Sequence, residues 1–196
     1  MVGVGKDVAK VVAGMTEVKE FDLIVMASGD RQRPFWAKSG VSIPVAEHSQ
    51  LPVLFVPESG RGSVSMEDGT TRLKQVVVAV DHKPDAQPAI ERTALALERF
   101  GGDDSKVTLL YIGKEEEFPN VKAADYGNFQ WSKMVRPGKP SQGIVSVAEE
   151  LDADLIVMIT DWKRGFWDVL SGSTVEQVVK HAPCPVFTMP ADEDEG

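Results

Sequence analysis

The chain has 196 residues, 42% of them hydrophobic, and a formal net charge of −9. That length holds one large domain, or one and a half ordinary ones, with a substantial core. The acidic balance argues against nucleic acid or an anionic lipid surface as partner. No apolar run approaches the roughly 20 residues that span a bilayer, so no direct membrane contact is expected. The single cysteine, Cys184, excludes an internal disulfide and fits a reducing cytoplasm.

Taken in chain order, Lys6 to Glu20 has apolar residues at Val8, Val11, Val12, Met15 and Val18, the spacing of an amphipathic helix. Phe21 to Met26 is apolar except for Asp22, the pattern of a parallel strand buried on both faces. A charged loop follows at Asp30 to Pro34, then a weak helical segment around Val41 to His48 and a second buried strand, Val53 to Val56, closed by Pro57. Residues 58–71 are rich in Gly, Ser and charge and read as a linker or exposed loop. Val76 to Val80 is a strand running into Asp81. Pro84 lies near the start of a helix with apolar face Ala89, Ile90, Ala94, Leu97 and Phe100. Val107 to Ile112 is the next strand. Lys114 to Gln130 has no clean period, and Trp131 to Val135 forms a short strand. Ile144, Val147, Ala148 and Leu151 mark a helix, Leu155 to Met158 a strand, Ser173 to Lys180 a helix, and Val186 to Met189 the last strand. Strands alternating with helices imply a doubly wound parallel sheet, an α/β fold.

The beginning of the chain recurs near its end. Gly5-Lys6, Asp22 to Met26, Phe35-Trp36, Ser39-Gly40, His48, Pro52-Val53 and Pro57 reappear as Gly138-Lys139, Asp154 to Met158, Phe166-Trp167, Ser171-Gly172, His181, Pro185-Val186 and Pro190. The offset stays near 133 residues (Gly5 to Gly138, Pro57 to Pro190), too long for a solenoid unit. The expected organisation is therefore an additional half domain at 1–57, a linker at 58–71, a complete domain at 72–190 and an acidic tail at 191–196. A full first copy would begin roughly 60 residues before Met1. Met1 is then either a true start or the edge of a longer tandem protein or transporter tail.

In sequence these residues resemble the universal stress protein family. The most specific stretch is Ala153 to Met158 followed by Gly172 to Val186, and the strand ending Val80-Asp81 is similar to the family's first strand. The resemblance implies a nucleotide-binding-like fold, with Val80 and Asp81 at the base and ribose end of a nucleotide, and Gly165, Gly172, Ser173 and Thr174 near its phosphates. ATP-binding members carry Gly-x-x-Gly, a spacer of about nine residues, then Gly-Ser or Gly-Thr. Glycines let backbone approach phosphate closely, and the helix that follows offers free N–H groups and a positive dipole end. Here Gly172 and Ser173 match the end of the motif, but Ile159 and Trp162 stand where the early glycines belong. A left-handed backbone at the branched Ile159 would cost about 1–2 kcal/mol. In the first copy Ala27 and Asp30 replace those glycines and Val41 follows Gly40, so no nucleotide site is expected within 1–57.

Each remaining candidate has a bland reading beside the functional one. Asp81 is a ligand or a turn cap, and His82 a titrating ligand or an exposed loop residue. Lys163 and Arg164 are substitute phosphate ligands or solvated cations. His181 suits a helix C-terminus, and Cys184 an inert core thiol. Phe35-Trp36 and Phe166-Trp167 form a partner patch or pack equivalently across the repeat, and Trp131 supports no assignment. No nucleophile–base pair or metal cluster is legible.

The resemblance also implies self-association through last strands, Val53, Leu54, Phe55 and Val56 against Val186, Phe187, Thr188 and Met189, within the chain or as a homodimer. The expected function is a cytoplasmic stress-response or regulatory module whose ATP binding is weak or lost, with no resident cofactor, no metal and no catalysis beyond a weak ATPase. The alternatives are an ATP/Mg-binding member with slow or no hydrolysis, and a structural assembly or transporter-appended domain.

Overall fold

In the computed structural model the described residues are 9–12, 14–16, 21–28, 41–58, 62–65, 67–101, 104–123, 126–127, 129–161 and 173–191. Their elements run β1 (Ile24–Ala27), α1 (Ser42–Ser49), β2 (Val53–Val56), β3 (Gln75–Ala79), α2 (Gln87–Phe100), β4 (Lys106–Ile112), a 3₁₀ turn at Glu115–Glu117, β5 (Gln130–Arg136), α3 (Pro140–Glu150), β6 (Leu155–Thr160), α4 (Thr174–His181) and β7 (Val186–Pro190). The seven strands form one sheet in the order β1-β2-β7-β6-β3-β4-β5. Every pairing is parallel except β2 with β7. There Val53 lies opposite Thr188, Leu54 opposite Phe187 and Phe55 opposite Val186.

Side-chain alternation along each strand divides the core in two. Val76, Val78, Leu109 and Val157 point to one face, where they pack with Ala89, Ile90 and Leu97 of α2. Val77, Leu110, Ile156 and Phe55 point to the other, against Ile43 and Ala46 of α1, Ile144 and Val147 of α3, and Val175, Val178 and Val179 of α4. Each of the Val, Leu, Ile and Phe side chains among these stabilises the fold by about 1.5–3 kcal/mol on full burial, and helices cover both faces as a doubly wound sheet requires. The α2 spacing Ala89, Ile90, Ala94, Leu97 follows the helical period, while Phe100 is left exposed at 57%. Gly101 ends that helix: a Cβ there would sit 2.8 Å from the Leu97 carbonyl oxygen.

Two sequence expectations are corrected at the β1 end. Phe21 to Met26 reads as doubly buried, yet Phe21, Leu23 and Val25 are 42%, 44% and 59% exposed. The physical reason is position: β1 lies at the end of the sheet with β2 as its neighbour. Residues 9–12 and 14–16 are helical, but Val11 and Met15 of the expected apolar face are 63% and 52% exposed. Within 58–71, Val64 and Thr71 make an antiparallel bridge, and the Ser63 hydroxyl donates to the Asp154 carbonyl at 2.9 Å. The strand expected over Trp131 to Val135 extends to both sides as the seven-residue β5.

Candidate functional site

The chain leaves β3 for β4 and β5 on one side, then returns to the other side of β3 as β6. The crevice outside the C-terminal ends of β3 and β6 is therefore the switch point of this sheet, where open α/β sheets place ligands. Val80 is 4% exposed, and its N–H donates to the Leu110 carbonyl at 2.9 Å. Asp81 follows it into solvent, and its Oδ1 accepts the His82 N–H at 2.7 Å. The carboxylate thus holds the turn that leaves β3 at this sheet end. His82 is exposed; its Nε2 donates to the Glu117 carbonyl at 2.8 Å, and its ring stands edge-on to Tyr111 at 5.7 Å.

Tyr111 comes from the penultimate position of β4 and is 8% exposed. Its phenol is pushed above its ordinary value, first by burial, then by the negative charges of Asp81 and Glu117. Phe118 meets Tyr111 edge-to-face at 6.1 Å, and Lys133 Nζ stands 4.8 Å from the Phe118 ring centre. Gly113 permits this packing, because a Cβ there would lie 2.4 Å from Tyr111 Cε1. Beyond it, the Tyr126 hydroxyl donates to Glu91 Oε1 at 2.7 Å and Trp131 Nε1 donates to the Tyr126 carbonyl at 2.9 Å. Trp131 therefore ties β5 to the loop above the sheet.

On the β6 side, Ile159 pairs with Met189 and Thr160 with Pro190. Ile159 lies within the strand, and among the described residues only Gln50 and Asp152 are non-glycine residues with positive φ. The expected left-handed cost at Ile159 does not arise, because the strand continues through the position where the family opens a glycine turn. Ser173 caps α4: its Oγ accepts the Glu176 N–H at 3.2 Å, and Thr174 is the first helical residue. Because β7 runs parallel to β6, the connecting helix starts at the same sheet end as Asp81, with its positive dipole end there. Trp162, Lys163, Arg164, Gly165, Phe166, Trp167 and Gly172, with Phe35, Trp36 and Gly40 of the first copy, lie outside the described residues.

His181 donates through Nδ1 to the Gln177 carbonyl at 2.9 Å in the last turn of α4. Cys184 is fully buried and in no disulfide. Tyr111, Glu117, Phe118 and Asp161 were not singled out in the sequence. The usable signal was that β4 adjoins β3, so its C-terminal end also borders the crevice. Among the described residues no group of His, Cys, Asp or Glu is arranged to hold a metal ion, and no helix is long and apolar enough to cross a membrane.

A family model described as the universal stress protein family matches residues 113–190. The chain is 45% identical over 83 residues to the universal stress protein MJ0531 of Methanocaldococcus jannaschii, covering 41% of this chain and 48% of that protein. It thus spans about half the length of that relative. Among solved structures, a universal stress protein from Archaeoglobus fulgidus superposes with a TM-score of 0.68 at 21% identity, covering 95% of this chain and 66% of that one. A universal stress protein solved in complex with cAMP superposes at 0.50 with 17% identity, covering 61% and 98%. At these identities the two structures speak for the fold. The matched stretch carries β5, α3, β6, the Ser173-capped α4 and β7, and over it this chain is similar to the universal stress protein family.

Proposed function

We propose that this chain is a cytoplasmic regulatory module rather than an enzyme, and that its switch-point crevice takes an adenine nucleotide bearing one phosphate in preference to ATP. The observation that carries the reading is the pairing of two unlike ends on one crevice. Asp81 offers an acceptor for ribose hydroxyls or an exocyclic amine, and the α4 N-terminus offers a single anion-favouring dipole. Asp81, Glu117 and Asp161 add negative charge at this sheet end, which works against the spread charge of a triphosphate. Ile159 and Trp162 in place of glycines remove the backbone cradle that further phosphates would use. The structural neighbour solved with cAMP supports a compact nucleotide as ligand. The lone buried Cys184 and the net charge of −9 support a cytoplasmic setting away from nucleic acid and membrane.

Calorimetric titration with AMP, cAMP and ATP with magnesium tests the proposal. The expected order places a monophosphate at least about tenfold tighter than ATP, with the heat abolished by Asp81→Ala. Micromolar ATP binding that exceeds both monophosphates would overturn it, and release of the γ-phosphate in proportion to protein would overturn the regulatory reading.

A further inference from the structure

Tyr111 is buried at its ring and open at its hydroxyl. The residue is 8% exposed, with its ring held from two sides, by His82 at 5.7 Å and by Phe118 at 6.1 Å. A Cβ at Gly113 would lie 2.6 Å from Tyr111 Cζ and 2.7 Å from its hydroxyl oxygen. The phenol therefore lies over the backbone just past β4, at the sheet end that borders the crevice. Because β3 and β4 are parallel with Ala79 opposite Leu110, this position adjoins Val80 and Asp81. Among the described residues the hydroxyl has no hydrogen-bond partner, and it is not sealed from solvent. The little surface left to this side chain thus includes its donor.

The other side chains of this wall are acceptors or are already engaged. The carboxylates of Asp81 and Glu117 only accept, and both act electrostatically on the phenol. His82 Nε2 donates to the Glu117 carbonyl at 2.8 Å, and Lys114 Nζ to Glu117 Oε1 at 3.4 Å. Lys133 Nζ stands over the Phe118 ring. Adenine carries an exocyclic amine that donates and ring nitrogens that accept. Asp81 can serve the amine, but a ring nitrogen needs a donor, and the Tyr111 O–H is the one this wall leaves uncommitted among the described side chains named. With the ring already fixed by its neighbours, little side-chain freedom is lost when a ligand takes that bond.

We propose that the Tyr111 hydroxyl reads the base of the bound nucleotide, donating to the N1 or N7 nitrogen that flanks the exocyclic amine held by Asp81. The assignment rests on the adenine-nucleotide reading above. It makes Tyr111 a specificity-determining residue, because a base without an acceptor at that place leaves the hydroxyl unpaired against it and binds more weakly.

Calorimetric titration of the wild type and Tyr111→Phe with AMP, 1-deaza-AMP and 7-deaza-AMP tests this. Phe keeps the ring and removes only a hydroxyl that no described protein group uses, so the urea midpoint should stay in place. AMP should bind the variant about tenfold or more weakly. The analogue lacking the nitrogen that is read should bind the wild type more weakly by a similar factor and bind both proteins alike. The other analogue should show the full loss in the variant, so that the two changes are non-additive for one nitrogen only. Unchanged AMP affinity in Tyr111→Phe, a loss of equal size with both analogues, or a lowered urea midpoint overturns the inference and leaves the nucleotide reading standing. Failure of AMP to bind the wild type overturns that reading and this one with it.

Discussion

The Gln87 side chain and the Lys122 backbone meet as a reciprocal pair. The Gln87 Nε2 donates to the Lys122 carbonyl at 3.0 Å, and its Oε1 accepts the Lys122 N–H at 2.9 Å. A side-chain amide thus imitates one rung of a β-ladder and fastens the segment after β4 to the first turn of α2. Tyr126 on Glu91 adds a second fastening to the same helix. Because this segment carries Glu117 and Phe118 to the crevice, the clasp on α2 controls the wall beside Tyr111.

Gln87→Ala removes both bonds of that pair. The expected loss of stability is about 1–2 kcal/mol, since each hydrogen bond contributes on the order of 1 kcal/mol net. Urea unfolding measures the loss. Hydrogen exchange should show the Lys122 amide accelerating while amides in the middle of β4 hold their protection.

Tyr111 should report on Asp81. Its raised ionisation comes first from burial and next from Asp81, then Glu117. The folded value lies above the unfolded one, so the stabilising contribution is complete below the ordinary 10.0 and is lost as pH rises through the folded value. Asp81→Asn removes the charge that acts more strongly on the ring and should move the phenolate absorbance transition of Tyr111 to lower pH. A transition that stays in place would mean that the Asp81 carboxylate does not act on this ring.

At the acid end the sign reverses at Asp68. The Thr70 hydroxyl and N–H donate to its Oδ1 at 2.7 and 3.0 Å, holding the carboxyl down from 3.8 to about 2. Its folded value is depressed, so its contribution is present above pH 3.8 and disappears as pH falls through about 2. Carboxyl chemical shifts followed by NMR should give a midpoint near 2 for Asp68, returning toward 3.8 in Thr70→Val. The turn holding it also needs Gly69, whose φ of +72° suits few side chains.

Ser173→Ala should lower stability by about 1 kcal/mol through loss of the α4 cap. Thermal denaturation checks this, and Ser173→Asp should restore most of the loss, because Asp also caps and its charge favours the helix dipole. In the nucleotide titration the two substitutions should part company: Ser173→Asp places a negative charge where the phosphate is proposed to lie and should weaken monophosphate binding more than Ser173→Ala.

Local pattern alone made much of the molecule legible. Val76 to Val80, Val107 to Ile112, Leu155 to Met158 and Val186 to Met189 are β-branched or apolar runs with turn residues at their ends. Ala89, Ile90, Ala94 and Leu97 keep a helical period, and Ser173 to Lys180 reads as a helix. These features are written in spacing over a few residues, so the sequence by itself determined the elements, their alternation and the family resemblance. The tertiary structure decided what depends on neighbours distant in sequence. Phe21 to Met26 has the composition of a buried strand, yet sheet order leaves Leu23 and Val25 bare. The meeting of Asp81, Tyr111 and Glu117 depends on β3 and β4 ending side by side, and Ile159 stays in its strand because Met189 pairs with it. Burial and electrostatic coupling are properties of the packed sheet, and no window of consecutive residues contains them.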